Sequence, residues 1–158
     1  MVATYSVEAP LVAHRTWSRA CGVLRLYWRY GIEGLQPQSV ADELGVKISG
    51  VQRDPMAIVT LAVSADQALQ GLRTVHAGAF ALAVNDIKTE CHDRRKVGHE
   101  CSGECRAWFN ERGTGIGQTL GIDRETAKRW HEAAVWFVHW MLDDSDLEEP
   151  EEIGLWLA

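Results

Sequence analysis

Cys91, His92, His99, Cys101 and Cys105 fall within fifteen residues and include three of the chain's four cysteines. Zinc takes four soft or borderline ligands in a tetrahedron, and thiolates and imidazoles this close together can supply them. The expected set is Cys91, His99, Cys101 and Cys105, with His92 the substitute for His99, around a structural Zn2+ ion. Gly98 and Gly103 make the intervening loop pliable enough to wrap an ion. The spacing is not a C-x2-C pair, so buried thiols, or a disulfide formed only on oxidation, stand beside the metal as readings. Glu90, Glu100 and Glu104 would be the bases of a catalytic zinc, but no HExxH or deaminase-like arrangement accompanies them. Beside the cluster, Arg94, Arg95 and Lys96 read either as phosphate contacts or as a solvated helix end.

A second constellation lies between residues 113 and 141. Its centre, from Gly115 to Trp130, reads Gly-Ile-Gly-Gln-Thr-Leu-Gly-Ile-Asp-Arg-Glu-Thr-Ala-Lys-Arg-Trp. Two helices crossing steeply need a small residue where they approach, and Gly117 is expected to supply it. A tight turn needs positive φ, which Gly121 takes without steric cost. Ile116, Leu120, Ile122, Ala127 and Trp130 have the spacing to fill the wedge between two such helices. Asp123 is placed to cap the second one through its carboxylate.

These residues resemble the helix-turn-helix family shared by bacterial and phage regulators and by the promoter-reading region of sigma factors. In that family the second helix enters the major groove of double-stranded DNA. The resemblance covers under a fifth of the chain. It implies that Asp123, Arg124, Glu125, Lys128, Arg129 and Glu132 point outward. Arg124, Lys128 and Arg129 would meet guanine edges or phosphates, and Glu125 would accept from cytosine. Arg112 and Thr114, before the first helix, would hold a phosphate. More broadly, the chain resembles phage late-gene regulators, the Q-type antitermination proteins of lambdoid phages being the comparison. That likeness implies transcription antitermination with RNA polymerase as a partner, in the cytoplasm of a bacterial host, with homo-oligomers on DNA. The paired C-x2-C motifs of the zinc-containing members are missing. The rival reading is the DNA-recognition (small) subunit of a phage packaging terminase.

Residues 40–53 repeat the pattern more weakly. Val40-Ala41, Leu44-Gly45-Val46, Val51 and Arg53 match Ile116-Gly117, Leu120-Gly121-Ile122, Ala127 and Arg129 at a constant offset of 76. Asp54 takes the place of Trp130, and Pro55 is expected to end the helix. A degenerate copy used for packing is the preferred account. The other is a second DNA-reading element offering Lys47, Ser49, Gln52 and Arg53.

The elements that must position these groups read as helices throughout, so the expected class is all-α. Trp17, Ala20, Cys21, Leu24, Tyr27 and Trp28 form one apolar stripe over residues 10–30, with Arg15, Arg19, Arg25 and Arg29 mostly off it. Ser39 opens a short helix to Leu44, and Asp54-Pro55 opens another across Met56–Val63. Helix restarts at Ser64 or Thr74 and continues to Arg95, with Leu69, Leu72, Val75, Ala79, Leu82 and Ala83 as core. Ala133, Ala134, Phe137 and Trp140 extend the last helix, with Trp136 beside that stripe, to pack on the rest of the domain or on a second subunit.

The domain reading follows: a helical body over 1–90 containing the helix-turn-helix-like segment 38–54, a Cys/His-rich loop over 91–105, the DNA-binding unit over 106–142, and an acidic tail over 143–158. That tail holds seven of the 22 acidic residues, leaving 15 against 16 Lys and Arg, so the formal net charge of −6 does not exclude DNA. The 46% apolar share suits a globular domain, no apolar run is long enough for a membrane span, and the first ten residues lack signal-peptide order. A cytoplasmic protein without membrane partners is expected. No phosphate loop, nucleophile elbow or Ser/His/Asp order is present, so enzymatic activity is not expected.

Overall fold

The structure, a computed structural model, describes residues 9–45, 47–48, 54–88 and 108–142. Among them every regular element is helical: α1 Ala9–Tyr30, a 3-10 turn Ile32–Gly34, α2 Pro37–Leu44, α3 Pro55–Val75, α4 Ala77–Lys88, the single turn α5 Ile116–Thr119, and α6 Arg124–Leu142. None of these is long and apolar enough to cross a membrane. The all-α expectation therefore holds for the described chain.

Helix boundaries follow local chemistry. α2 begins at Pro37, two residues before the expected Ser39, because proline at the first helical position loses only an amide that would have no partner. Asp54 caps α3 as expected, its carboxylate accepting from the Met56 amide at 3.0 Å. α3 then passes through Ser64 unbroken to Val75. The Thr74 hydroxyl folds back onto the Gln70 carbonyl at 3.2 Å, completing this helix rather than starting the next. The break falls at His76, whose backbone is extended and whose Nδ1 accepts from the Ala79 amide at 3.0 Å, capping α4.

One core joins the amino-terminal helices to α6. Trp17, Cys21 and Leu24 of α1, Leu69 and Leu72 of α3, Ala79, Ala83 and Ile87 of α4, and Ala134 to Val138 of α6 form a single buried cluster. Fully burying an aliphatic or aromatic side chain of this kind is worth about 1.5–3 kcal/mol, so α6 is held by much of its length. Its aromatic load packs on the same chain. Val40, Ala41, Ile58 and Ala62 build a second cluster with Val23 and Leu26, seating α2.

Three expected core or surface positions differ. Val75 is 57% exposed at the end of α3, where the chain turns away. Trp28 is 37% exposed, its indole donating to Asp66 at 3.1 Å. Arg25 is not a solvated arginine like Arg15 and Arg19; its Nε donates to the Ile87 carbonyl at 2.8 Å and it pairs with Glu43, tying α1 to α4 and α2.

Candidate nucleic-acid interface

The turn between α5 and α6 is built as the residue types require. Gly121 has φ 69°, and an added Cβ would meet nothing within 4 Å, so the turn selects glycine for its backbone rather than for space. Asp123 accepts from the Thr126 amide at 2.7 Å and caps α6. That hydrogen bond, with one to the Thr126 side chain and the charge of Arg129, holds the Asp123 carboxyl below its ordinary range. Ile116, Leu120, Ile122, Ala127 and Trp130 do share a cluster. The cluster also takes in Leu82 of α4 and the pair Trp108 and Phe109, which sequence periodicity does not reach.

Gly117 corrects the expected account. What fills the space beside it is Phe109: an added Cβ would lie 2.4 Å from the ring's Cζ. Gly115 is tighter still, with the Trp108 carbonyl oxygen 2.1 Å from such a Cβ. The chain from Trp108 to Gly117 therefore folds back on itself, and the Gly117 amide donates to the Trp108 carbonyl at 2.9 Å. Gln118 closes this loop. Its Oε1 accepts from the amides of Asn110 and Gly115, and its Nε2 donates to the Asn110 carbonyl at 2.8 Å. Asn110 Oδ1 accepts from the Thr114 amide at 3.0 Å, and Asn110 Nδ2 donates to Thr114 Oγ1 at 3.0 Å.

Against this frame the structure exposes Arg112, Thr114, Asp123, Arg124, Glu125, Lys128 and Arg129. Arg112 and Thr114 lie in the Asn110–Thr114 turn, and the other five in the first two turns at the start of α6. The Arg124 guanidinium carbon stands 4.9 Å from the centroid of the Phe109 ring. Glu132 departs from the outward set. It is half-buried and accepts from His14 Nε2 at 2.9 and 3.1 Å, joining α6 to α1. Burial opposes its ionisation, but the hydrogen bond and charge of His14, the charge of His131 and a hydrogen bond to Trp136 outweigh it, and its carboxyl stays below the ordinary range.

A buried polar knot underlies α6. Asp86 Oδ2 accepts from Trp17 Nε1 at 2.8 Å and from His131 Nε2 at 2.8 Å. The His131 ring lies edge-on to Trp17 and tilted against Trp108, at centroid distances of 6.5 and 4.9 Å. Its trace in the sequence is slight: Asp86 follows Asn85 within the largely apolar stretch Leu82–Ile87, and His131 stands between Trp130 and Glu132.

Cys91, His92, His99, Cys101, Cys105 and the basic Arg94–Lys96 lie outside the described residues, as does the 143–158 tail. Among the described residues no group of three or more His, Cys, Asp or Glu could hold a metal ion. In the weaker repeat, Gly45 matches Gly121 with the same φ of 69°, and Val40 and Ala41 are buried. Lys47 is exposed, while Ser49, Gln52 and Arg53 lie outside the described residues. Asp54, in the place of Trp130, is an exposed cap. The chain matches no family model, no curated protein and no solved structure.

Proposed function

We propose that this protein binds double-stranded DNA, with α5, the Gly121 turn and α6 acting as a helix-turn-helix. One observation carries the reading: Arg124, Lys128 and Arg129 stand exposed on the first two turns of a helix whose opposite face is sunk in the core. A rigidly backed, basic helix start beside a sharp turn has the size and charge to enter a major groove. Arg112 adds a cation on the adjacent loop, and Glu125 an acceptor for a cytosine amine. Asp123 serves mainly as the helix cap, and Glu132 belongs to the α1 contact.

The narrower proposal is a sequence-specific transcription regulator of the phage late-gene antiterminator kind, loading onto RNA polymerase. It is supported by the resemblance of the 113–141 segment and by exposed arginines on α1, Arg15, Arg19 and Arg29, as a separate protein-facing surface. Cys91, His99, Cys101 and Cys105 are proposed, on donor chemistry, as a structural zinc site before this unit.

Selection of bound duplexes from a random pool, paired with an RNA polymerase pull-down, tests both levels. Enrichment of one sequence with co-purified polymerase supports the antiterminator. Enrichment without polymerase leaves a DNA reader of another kind, and no enrichment removes sequence-specific binding.

A further inference from the structure

Three large apolar side chains stand exposed around the end of α1. Trp28 is 37% exposed, Tyr30 59% and Ile32 56%, and the exposed Arg29 lies 5.9 Å from the centroid of the Tyr30 ring. Such side chains scattered singly over a surface need no account. A Trp, a Tyr and an Arg gathered in one place have the composition of a contact hot spot.

Two routes put this place level with the end of α6. α3 and α6 run antiparallel: His76 meets Trp130 at a ring separation of 4.5 Å, and Gly71 lies against the Phe137 ring. Further back along α3, Asp66 accepts from the Trp28 indole, and the matching position past Phe137 on α6 is Leu142. α1 runs parallel to α6, with His14 bound to Glu132 and Tyr27 packed on the same cluster as Trp140 and Leu142. Trp28 therefore stands at the end of the bundle where α6 finishes, and Met141 is exposed at that end too.

The sequence that follows Leu142 is an acidic run and then an apolar one. Residues 143–152 hold seven carboxylates and no Lys or Arg, and Ile153, Leu155, Trp156 and Leu157 come next. α1 has the opposite charge, with four arginines and no Asp or Glu. Arg25 is taken by Glu43, which leaves Arg15, Arg19 and Arg29 exposed. We propose that residues 143–158 fold back over the end of α1, with carboxylates toward these arginines and the 153–157 run on Trp28, Tyr30 and Ile32. A ten-residue spacer reaches up to about 33 Å when extended, and it holds the apolar run at roughly millimolar effective concentration. A second copy of the chain would bring the same arginines against these, a like-charge contact. A nucleic-acid backbone would meet the arginines but leave the apolar side chains uncovered. The proposal stands apart from the DNA-binding reading, because the basic start of α6 lies at the other end of the bundle.

The test uses the full chain without nucleic acid, and reads amide hydrogen exchange by mass spectrometry. Wild type should protect the 153–157 amides. Tyr30→Ser/Ile32→Ser, a change of two exposed side chains, should speed their exchange by roughly tenfold, the protection that burial of one large apolar side chain sustains. Leu155→Ser/Trp156→Ser should speed exchange in residues 31–35 in return, and thermal melting checks that each variant is folded. In a second measurement, a photo-cross-linking residue in place of Trp156 should attach within residues 26–34 of its own chain, at a yield unchanged by dilution. Fast exchange of the 153–157 amides in wild type, or cross-links to another part of the chain, overturns the proposal. Cross-links between chains, marking a second copy as the occupant, overturn it as well. So does protection of residues 31–35 that appears only when single-stranded RNA is added.

Discussion

Asp86 Oδ2 lies 2.8 Å from Nε2 of His131, and each side chain is 3% exposed. The pair links α4 to the middle of α6, and Trp17 of α1 donates to the same oxygen. Removing one partner of a buried hydrogen-bonded pair leaves the other unsatisfied, at about 1–3 kcal/mol. Asp86→Ala should therefore lower stability by an amount in that range, read as the urea midpoint and slope. A double-mutant cycle with His131→Ala should return a coupling above about 1 kcal/mol. Additive single effects would contradict the pairing.

Glu132 makes stability depend on pH in one direction. Its carboxyl is held below its ordinary value by His14, His131 and Trp136 against the opposing effect of burial. The folded state thus takes up this proton less readily than the unfolded chain. The stabilisation is complete above the unfolded glutamate value of about 4.3, and it is lost as pH falls through the lower folded value. Urea midpoints measured between about pH 5 and 3 should fall more steeply for wild type than for Glu132→Gln. Parallel slopes would contradict the assignment.

The three glycines of the turn unit should rank by what surrounds them. Gly115→Ala drives a methyl group into backbone, the Trp108 carbonyl oxygen at 2.1 Å, which no side-chain rotation relieves. Gly117→Ala meets the Phe109 ring, which can shift at some cost. Gly121→Ala meets nothing but keeps φ 69°, a strain of roughly 1–2 kcal/mol. Thermal melting should place Gly115→Ala as the most damaging, at or above the roughly 1–3 kcal/mol of an overpacked site, and Gly121→Asn as milder than Gly121→Ala. A reversed order would contradict the loop geometry.

If the Cys/His cluster binds zinc, Cys101→Ser should lower both metal content and melting temperature. Elemental analysis of protein purified without chelators measures the first directly. Stoichiometric zinc is expected, and its absence would end that proposal.

Much of this unit is legible in the sequence because its rules are local. The positive-φ turn at Gly121, the caps at Asp54 and Asp123, and the wedge residues Ile116 to Trp130 each declare themselves within a few positions. What escapes depends on packing across the chain. Phe109 gives no periodic signal, so Gly117 reads as the site of a helix crossing when it accommodates a ring. Glu132 has the spacing of an outward residue, and only the packing of α1 beside α6 brings His14 to it. Asp86 and His131 are 45 positions apart and meet only in the folded core. The long α3 reads as two helices because serine favours helix starts, whereas Ser64 sits half-buried inside an unbroken helix.

The central claim is that the exposed basic start of α6 touches a nucleic-acid backbone. The slope of log affinity against log salt for duplex DNA measures this most directly, comparing wild type with Lys128→Gln/Arg129→Gln. The account predicts a folded double variant with strongly weakened binding, its slope reduced by about 0.9 for each phosphate that is no longer neutralised. The same affinity and the same slope as wild type would contradict it.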